Sequence, residues 1–220
     1  MKKIIMGIVA AATMSSSAFA EPTKGFYTMD ALGCMIVREC TQDVQRVETI
    51  ATIADAHPNS DYSIIADEFS RMLIALDRIG VGVFLADEKY FPVGHRGVYH
   101  TVSNNFFLNK TYMRRPSVLM TVMRHEGWHA AQDCMAGSIK NSMIAIIRPE
   151  EDIPMIYREM AERTYPASAV PWEAEAGWAG RTEKVTMEAL ESCARGTMWT
   201  DYKPTPLTRK WLIENNYIDK

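Results

Sequence analysis

Between positions 64 and 79 the residues Ile64, Ile65, Phe69, Met72, Leu73, Leu76 and Ile79 recur every three to four places. That spacing predicts a helix with one buried face. Asp61 or Ser60 stands where a cap belongs, and Gly80 where the helix stops. The pattern then shortens. Residues 81–85 and 98–102 are runs rich in β-branched and aromatic side chains, which predicts two strands, and 105–108 either continues the second or makes a third. Pro116 suits a first helical turn, and 117–135 is interrupted only by Gly127, with Val118, Leu119, Val122, Met123, Trp128 and Ala131 as its buried side. More helices are predicted over 154–163, over 172–195 behind Pro171, and over 207–215. Gly177 and Gly180 weaken the middle one, each by about 1 kcal/mol relative to alanine. A helix, then strands, then mostly helices is an α+β order.

The start of the chain follows a different pattern. Lys2 and Lys3 precede an apolar run over 4–14, and Ala18-Phe19-Ala20 ends it, the three parts of a secretory leader cleaved after Ala20. The run is shorter than the roughly 20 residues a membrane span needs, and no later stretch is apolar enough to cross a bilayer. The expected product is one domain over 21–220, periplasmic or secreted, with no stable membrane anchor after cleavage. Breakers cluster at 57–60, 90–97, 148–154 and 203–206, and none is long enough to link independent domains. The whole chain carries a net charge of −3, and the leader removes only lysines, so nucleic acid and anionic membranes are poor partners. Four cysteines, Cys34, Cys40, Cys134 and Cys193, are candidates for two disulfides in an exported chain, with free buried thiols as the alternative.

The chemistry concentrates in His125-Glu126-Gly127-Trp128-His129. Histidines four apart lie one turn apart on a helix, so both imidazoles reach one ion. Zinc accepts neutral imidazole nitrogen at about 2.0–2.1 Å and, with a third ligand, leaves one place for water. Glu126 is then free of the metal and placed to act as general base. Chance supplies His-Glu-x-x-His on the order of once in a hundred chains of this length. Trp128 and the alanines that follow argue against two histidines on a solvent-facing helix.

Here the chain resembles the zincin metallopeptidases, and within them the gluzincins, small single-domain enzymes whose third zinc ligand is a glutamate on a downstream helix. Gln132 and Met135 stand where a metzincin would carry its glycine and third histidine, and Gly196-Thr197-Met198-Trp199 lacks the aspartate of the aspartate-ligand branch. Pro171-Trp172-Glu173-Ala174-Glu175-Ala176 is similar to the gluzincin ligand helix. The resemblance implies a few-stranded sheet packed on the active-site helix, with Zn2+ on His125, His129 and Glu173. Glu175 is the alternative third ligand, because residues two apart face different sides of a helix and only one can bind. The family's aspartate four residues past the ligand is Gly177 here. The strands over 97–108 are similar to the edge strand along which the family lays an extended peptide, which implies a peptide or protein substrate. If both helices serve one ion, a Cys134–Cys193 bridge would staple them and Cys34–Cys40 would close a local loop.

The expected activity is hydrolysis of peptide bonds. One alternative is a non-catalytic zinc-binding exported protein; another is a zinc hydrolase of cell-wall amide bonds. His57, His95 and His100 have no ligand spacing and are expected to be surface or structural. Tyr157 and Tyr165 are the downstream counterparts of the family's oxyanion donor; aromatic residues in such positions are more often core, and neither is placed in the site. Trp128 and Trp172 adjoin the proposed ligands, where packing is the expected role.

Overall fold

The computed structural model describes residues 29–219, so the predicted leader lies outside the described residues. The first half runs α1 (Met29–Ile36), β1 (Val44–Arg46), α2 (Ile50–Ala56), α3 (Ala66–Arg78), β2 (Gly82–Ala86), β3 (Gly97–His100), β4 (Asn105–Asn109) and α4 (Pro116–Met135). The second half is helical: α5 (Met155–Glu162), α6 (Val170–Ala179), α7 (Val185–Arg195), α8 (Met198–Asp201) and α9 (Pro206–Glu214). The α+β order read from the sequence is the order observed.

The sheet has strand order β1-β2-β4-β3, with β2 and β4 parallel and the two outer strands antiparallel to their neighbours. The 105–108 segment is therefore a strand of its own, returning on β3 through a turn in which Asn104 has φ 51. Alternate side chains of a strand face opposite ways. Phe106 and Leu108 enter the main core with α3 and α4, while Phe107 stacks on Phe84 beneath α1. With both faces covered, β4 is buried along its whole length. β3 is left at an edge, against α4.

Two expectations need correction. The α3 helix begins later than its apolar period predicts: Asp61 accepts the Ser63 N–H at 2.9 Å at the start of a separate 3-10 turn over Ser63–Ile65. Ile64 is consequently 88% exposed, while Phe69, Met72, Leu73 and Leu76 face the core. The single helix predicted over 172–195 is two, α6 and α7. Gly180 ends α6 hard against α4, where an added Cβ would lie 3.1 Å from the Thr121 carbonyl oxygen and 3.3 Å from His125 Cβ. Tertiary contact thus sets the break that glycine permits. Four short elements, α1, α2, β1 and α8, fall where no period was read.

α4 is packed by β3, α3, α6 and α7 and buries Trp128, Ala130 and Ala131 together with the polar His129, Gln132 and Asp133. Its middle is tied in place by a largely buried ion pair. Arg124 grips both Glu68 carboxylate oxygens at 2.8 and 2.7 Å, and the Arg124 carbonyl accepts the Thr186 hydroxyl at 2.9 Å.

Both disulfides pair as the shared-ion argument anticipated. Cys34–Cys40 closes a local loop behind α1, and Cys134–Cys193 joins the C-terminal ends of α4 and α7. Disulfides belong to oxidising compartments, and among the described residues no helix is long and apolar enough to cross a membrane. The larger bridge spans 59 residues. Closing such a loop restricts the unfolded chain by about 4 kcal/mol in the loop-entropy account, with native strain subtracting from it. Replacing Cys134 and Cys193 with alanine is expected to lower the urea unfolding free energy by about 2–4 kcal/mol. An unchanged midpoint would show that the bridge adds nothing to stability.

Candidate metal centre

His125 and His129 project from one side of α4, their rings 4.9 Å apart and nearly perpendicular. Glu173 comes from the first turn of α6, and its Oε2 lies 3.4 Å from His125 Nε2 and 3.6 Å from His129 Nε2. The three side chains form a group able to hold a metal ion. Two atoms that each sit about 2.0–2.1 Å from a tetrahedral centre are about 3.3 Å apart, close to both separations. No donor is aligned on Glu173 Oε2, which is buried without a hydrogen bond. An orphaned carboxylate oxygen between two imidazole nitrogens is costly in a protein interior and natural in a ligand set.

The electrostatics point the same way. Burial alone would hold the His129 imidazole below its ordinary pKa, but Glu173, Glu126 and Gln132 outweigh it and push it up to about 9. Burial raises the Glu173 carboxyl, and the two histidines reverse this, holding it well below the usual carboxylate range. The cluster is thus built to surround positive charge.

Glu126 does not join the three ligands. It faces a cleft of about 390 Å³ shared with Val93, Arg96, Gly97, His125 and Tyr165. Its Oε2 accepts the Tyr99 N–H at 2.9 Å, so the edge of β3 holds the carboxylate. That approach requires glycine at position 97, where a Cβ would lie 2.6 Å from Val122 Cγ1 and 3.1 Å from Glu126 Cγ. The other end of Tyr99 is also fixed to α4, its hydroxyl donating to Asp133 Oδ2 at 2.8 Å.

Asp133 carries a pH prediction. Burial pushes its carboxyl up to about 7, with the Tyr99 hydrogen bond pulling down, whereas its unfolded value is near 3.8. Between these values the folded state holds the extra proton, so this group lowers stability as pH rises from about 4 to 7. Asp133→Asn keeps an acceptor for Tyr99 and removes the titration. Its stability relative to the wild type is expected to rise between pH 5 and 8, on the order of 2 kcal/mol. Parallel pH–urea curves for the two proteins would contradict this.

Glu175, the alternative third ligand, lies elsewhere. It is buried on the far side of α6, accepting backbone N–H groups from Ile147 (3.0 Å) and Arg148 (2.6 Å) and the Gln132 side-chain amide (2.7 Å). Gln132 Nε2 also reaches the Trp172 carbonyl at 3.1 Å, and Gln132 Oε1 lies 2.8 Å from His129 Nδ1. At Gly177 an added Cβ would meet only Tyr157, so nothing there approaches a histidine ligand.

Tyr165, not placed in the site from sequence, lines the cleft. Burial and then the Glu173 and Glu126 carboxylates hold its phenol above the ordinary value, so it stays protonated as a donor. No spacing signal marks it: it stands, still partly exposed, in the loop between α5 and α6, and the packing of these two helices brings that loop to the cleft. Tyr157 packs against α6 with Trp178. His57 bonds the Lys110 carbonyl and His100 the Ser103 hydroxyl, both away from the ligands, while exposed His95 lines the cleft. Trp128 is fully buried edge-on to Trp178, a packing role. Trp172 contributes its carbonyl.

In comparisons with known proteins, no family model, no curated protein and no solved structure matches this chain at a significant level. The functional reading therefore rests on the site itself.

Proposed function

We propose that the chain is an exported zinc-dependent peptidase, with His125, His129 and Glu173 as metal ligands and Glu126 as general base. The observation that carries this reading is a cleft in which His125 of the ligand group, the unliganded carboxylate of Glu126 and Gly97 of the edge strand β3 meet. The resemblance of residues 125–129 to the zincins supports it.

Zinc, when bound, supplies Lewis acidity that lowers the pKa of water and polarises a carbonyl. The chain's own residues do the rest. Glu126, placed by the Tyr99 N–H, takes a proton from the attacking water and returns it to the leaving amine. Tyr165 donates toward the carbonyl oxygen as negative charge develops there. Gly97 lies on the outer edge of β3 beside Glu126, where its backbone groups could pair with an extended peptide. The basic and apolar start of the chain and the two disulfides support export, to the periplasm or beyond the cell.

The test is the zinc content of the purified mature protein, measured beside digestion of a peptide library and of peptidoglycan. Stoichiometric zinc with cleaved peptides is expected. Zinc without cleavage of either substrate would leave a metal-binding protein, and release from peptidoglycan alone would move the activity to cell-wall amides.

A further inference from the structure

A metal-binding imidazole must offer the ion a lone pair, and which nitrogen offers it depends on what holds the other one. The position where the resembled family carries a carboxylate for this purpose is Gly177. Another device must fix the ring, and the buried face of α4 contains one. We infer that Gln132 is the positioning residue of His129, locking its ring with Nδ1–H bonded to Gln132 so that Nε2 is the nitrogen left to bind the ion beside Glu173, and that Glu175 and the Trp172 carbonyl act through Gln132. The inference rests on the metal-site part of the reading above and is independent of whether the site cuts peptides.

A backbone carbonyl only accepts, and the Trp172 oxygen lies 3.1 Å from one terminal atom of the Gln132 amide. That atom must therefore be the nitrogen. Glu175 confirms the assignment at 2.7 Å from the same nitrogen, because both its oxygens are already turned to the Ile147 and Arg148 N–H groups as acceptors. The other terminal atom of Gln132, 2.8 Å from His129 Nδ1, is then oxygen and can only accept. Nδ1 must carry the hydrogen. Flipping the amide would set oxygen against two acceptors. Moving the ring proton to Nε2 would set two acceptors together at Nδ1 and a donor among the metal ligands. Gln132 is completely buried, so water cannot relieve either mismatch.

The same chain of bonds explains why position 132 is an amide and not a carboxylate. A glutamate there would face the Glu175 carboxylate at hydrogen-bond distance, and the two could meet only by taking up a proton. It also gives the loop at Ile147 and Arg148 a part in the centre, since its two N–H groups fix the carboxylate that orients the amide.

The test uses the mature chain in three forms: Gln132→Met, Gln132→Glu, and Gln132→Glu combined with Glu175→Gln. Zinc affinity is read by competition with a chelator, and the His129 Nδ1–H proton by its slow solvent exchange in NMR, with and without zinc. Gln132→Met is expected to weaken zinc binding 10–100-fold and to lose the protected proton while keeping native circular dichroism. Gln132→Glu alone should weaken it as well, and the exchanged pair, which restores one donor and one acceptor between positions 132 and 175 but leaves the Trp172 carbonyl without its donor, should recover part of the loss. A purely structural role would lower the melting temperature without this pattern of loss and recovery. Zinc affinity within twofold of wild type in folded Gln132→Met would overturn the inference. Should that variant fail to fold, the exchanged pair decides: no recovery over Gln132→Glu would also overturn it. If the wild type binds zinc and cuts no peptide, the peptidase reading falls and these affinities still decide; if it takes up no zinc, the metal-site reading and this inference fall together.

Discussion

Replacing Glu126 with glutamine is expected to leave bound zinc unchanged and to lower kcat on a cleaved peptide by about 10²–10⁴-fold, the range over which a positioned general base contributes. The selectivity follows from the geometry. Glutamine has the same shape, and its side-chain oxygen can still accept the Tyr99 N–H that holds Glu126 at 2.9 Å. What it cannot do is take a proton. Because Glu126 is outside the ligand group of His125, His129 and Glu173, the metal loses nothing by the exchange. Hydrolysis at the wild-type rate in Glu126→Gln would rule out the assigned base. If the zinc instead belongs to a non-catalytic module, neither protein cuts any peptide and His125→Ala destabilises the fold.

The second large effect separates two glutamates that stand two residues apart. Zinc binding to small protein sites is worth about 10–16 kcal/mol at neutral pH, so one ligand of three carries roughly 3–5 kcal/mol. Glu173→Ala is expected to weaken zinc affinity by about 10²–10⁴-fold on that scale. Its cost to the metal-free fold is confined to the attraction between the carboxylate and the two histidines, since Oε2 has no hydrogen bond to lose. Glu175→Ala should do the reverse. It strips acceptors from the Ile147 and Arg148 N–H groups and from Gln132, and each buried group left unsatisfied costs about 1–3 kcal/mol. Its zinc affinity should fall less, because Glu175 reaches the metal centre only through Gln132 and His129. Chelator competition and urea unfolding on both variants read the two effects separately. Equal changes in both measurements for both variants would contradict the division of labour.

Much of this was legible in the chain before it folded. The α3 face, the strands β2 and β4 and the helix that begins at Pro116 follow from spacing alone, since the helical and strand repeats differ and proline and glycine mark their ends. A shared face for His125 and His129 follows from the four-residue interval once that segment is helical. What folding decided concerns partners far apart in sequence. The choice between Glu173 and Glu175 depends on how α6 is rotated, and Gly180, by letting α6 close on Thr121 and His125, helps set that rotation. The pairing of Cys134 with Cys193, the approach of Tyr165 to the cleft and the bond from Gln132 to His129 likewise need two elements brought into register. Local periodicity states which way a residue faces on its own helix or strand; it holds no information about which other element will be there to meet it.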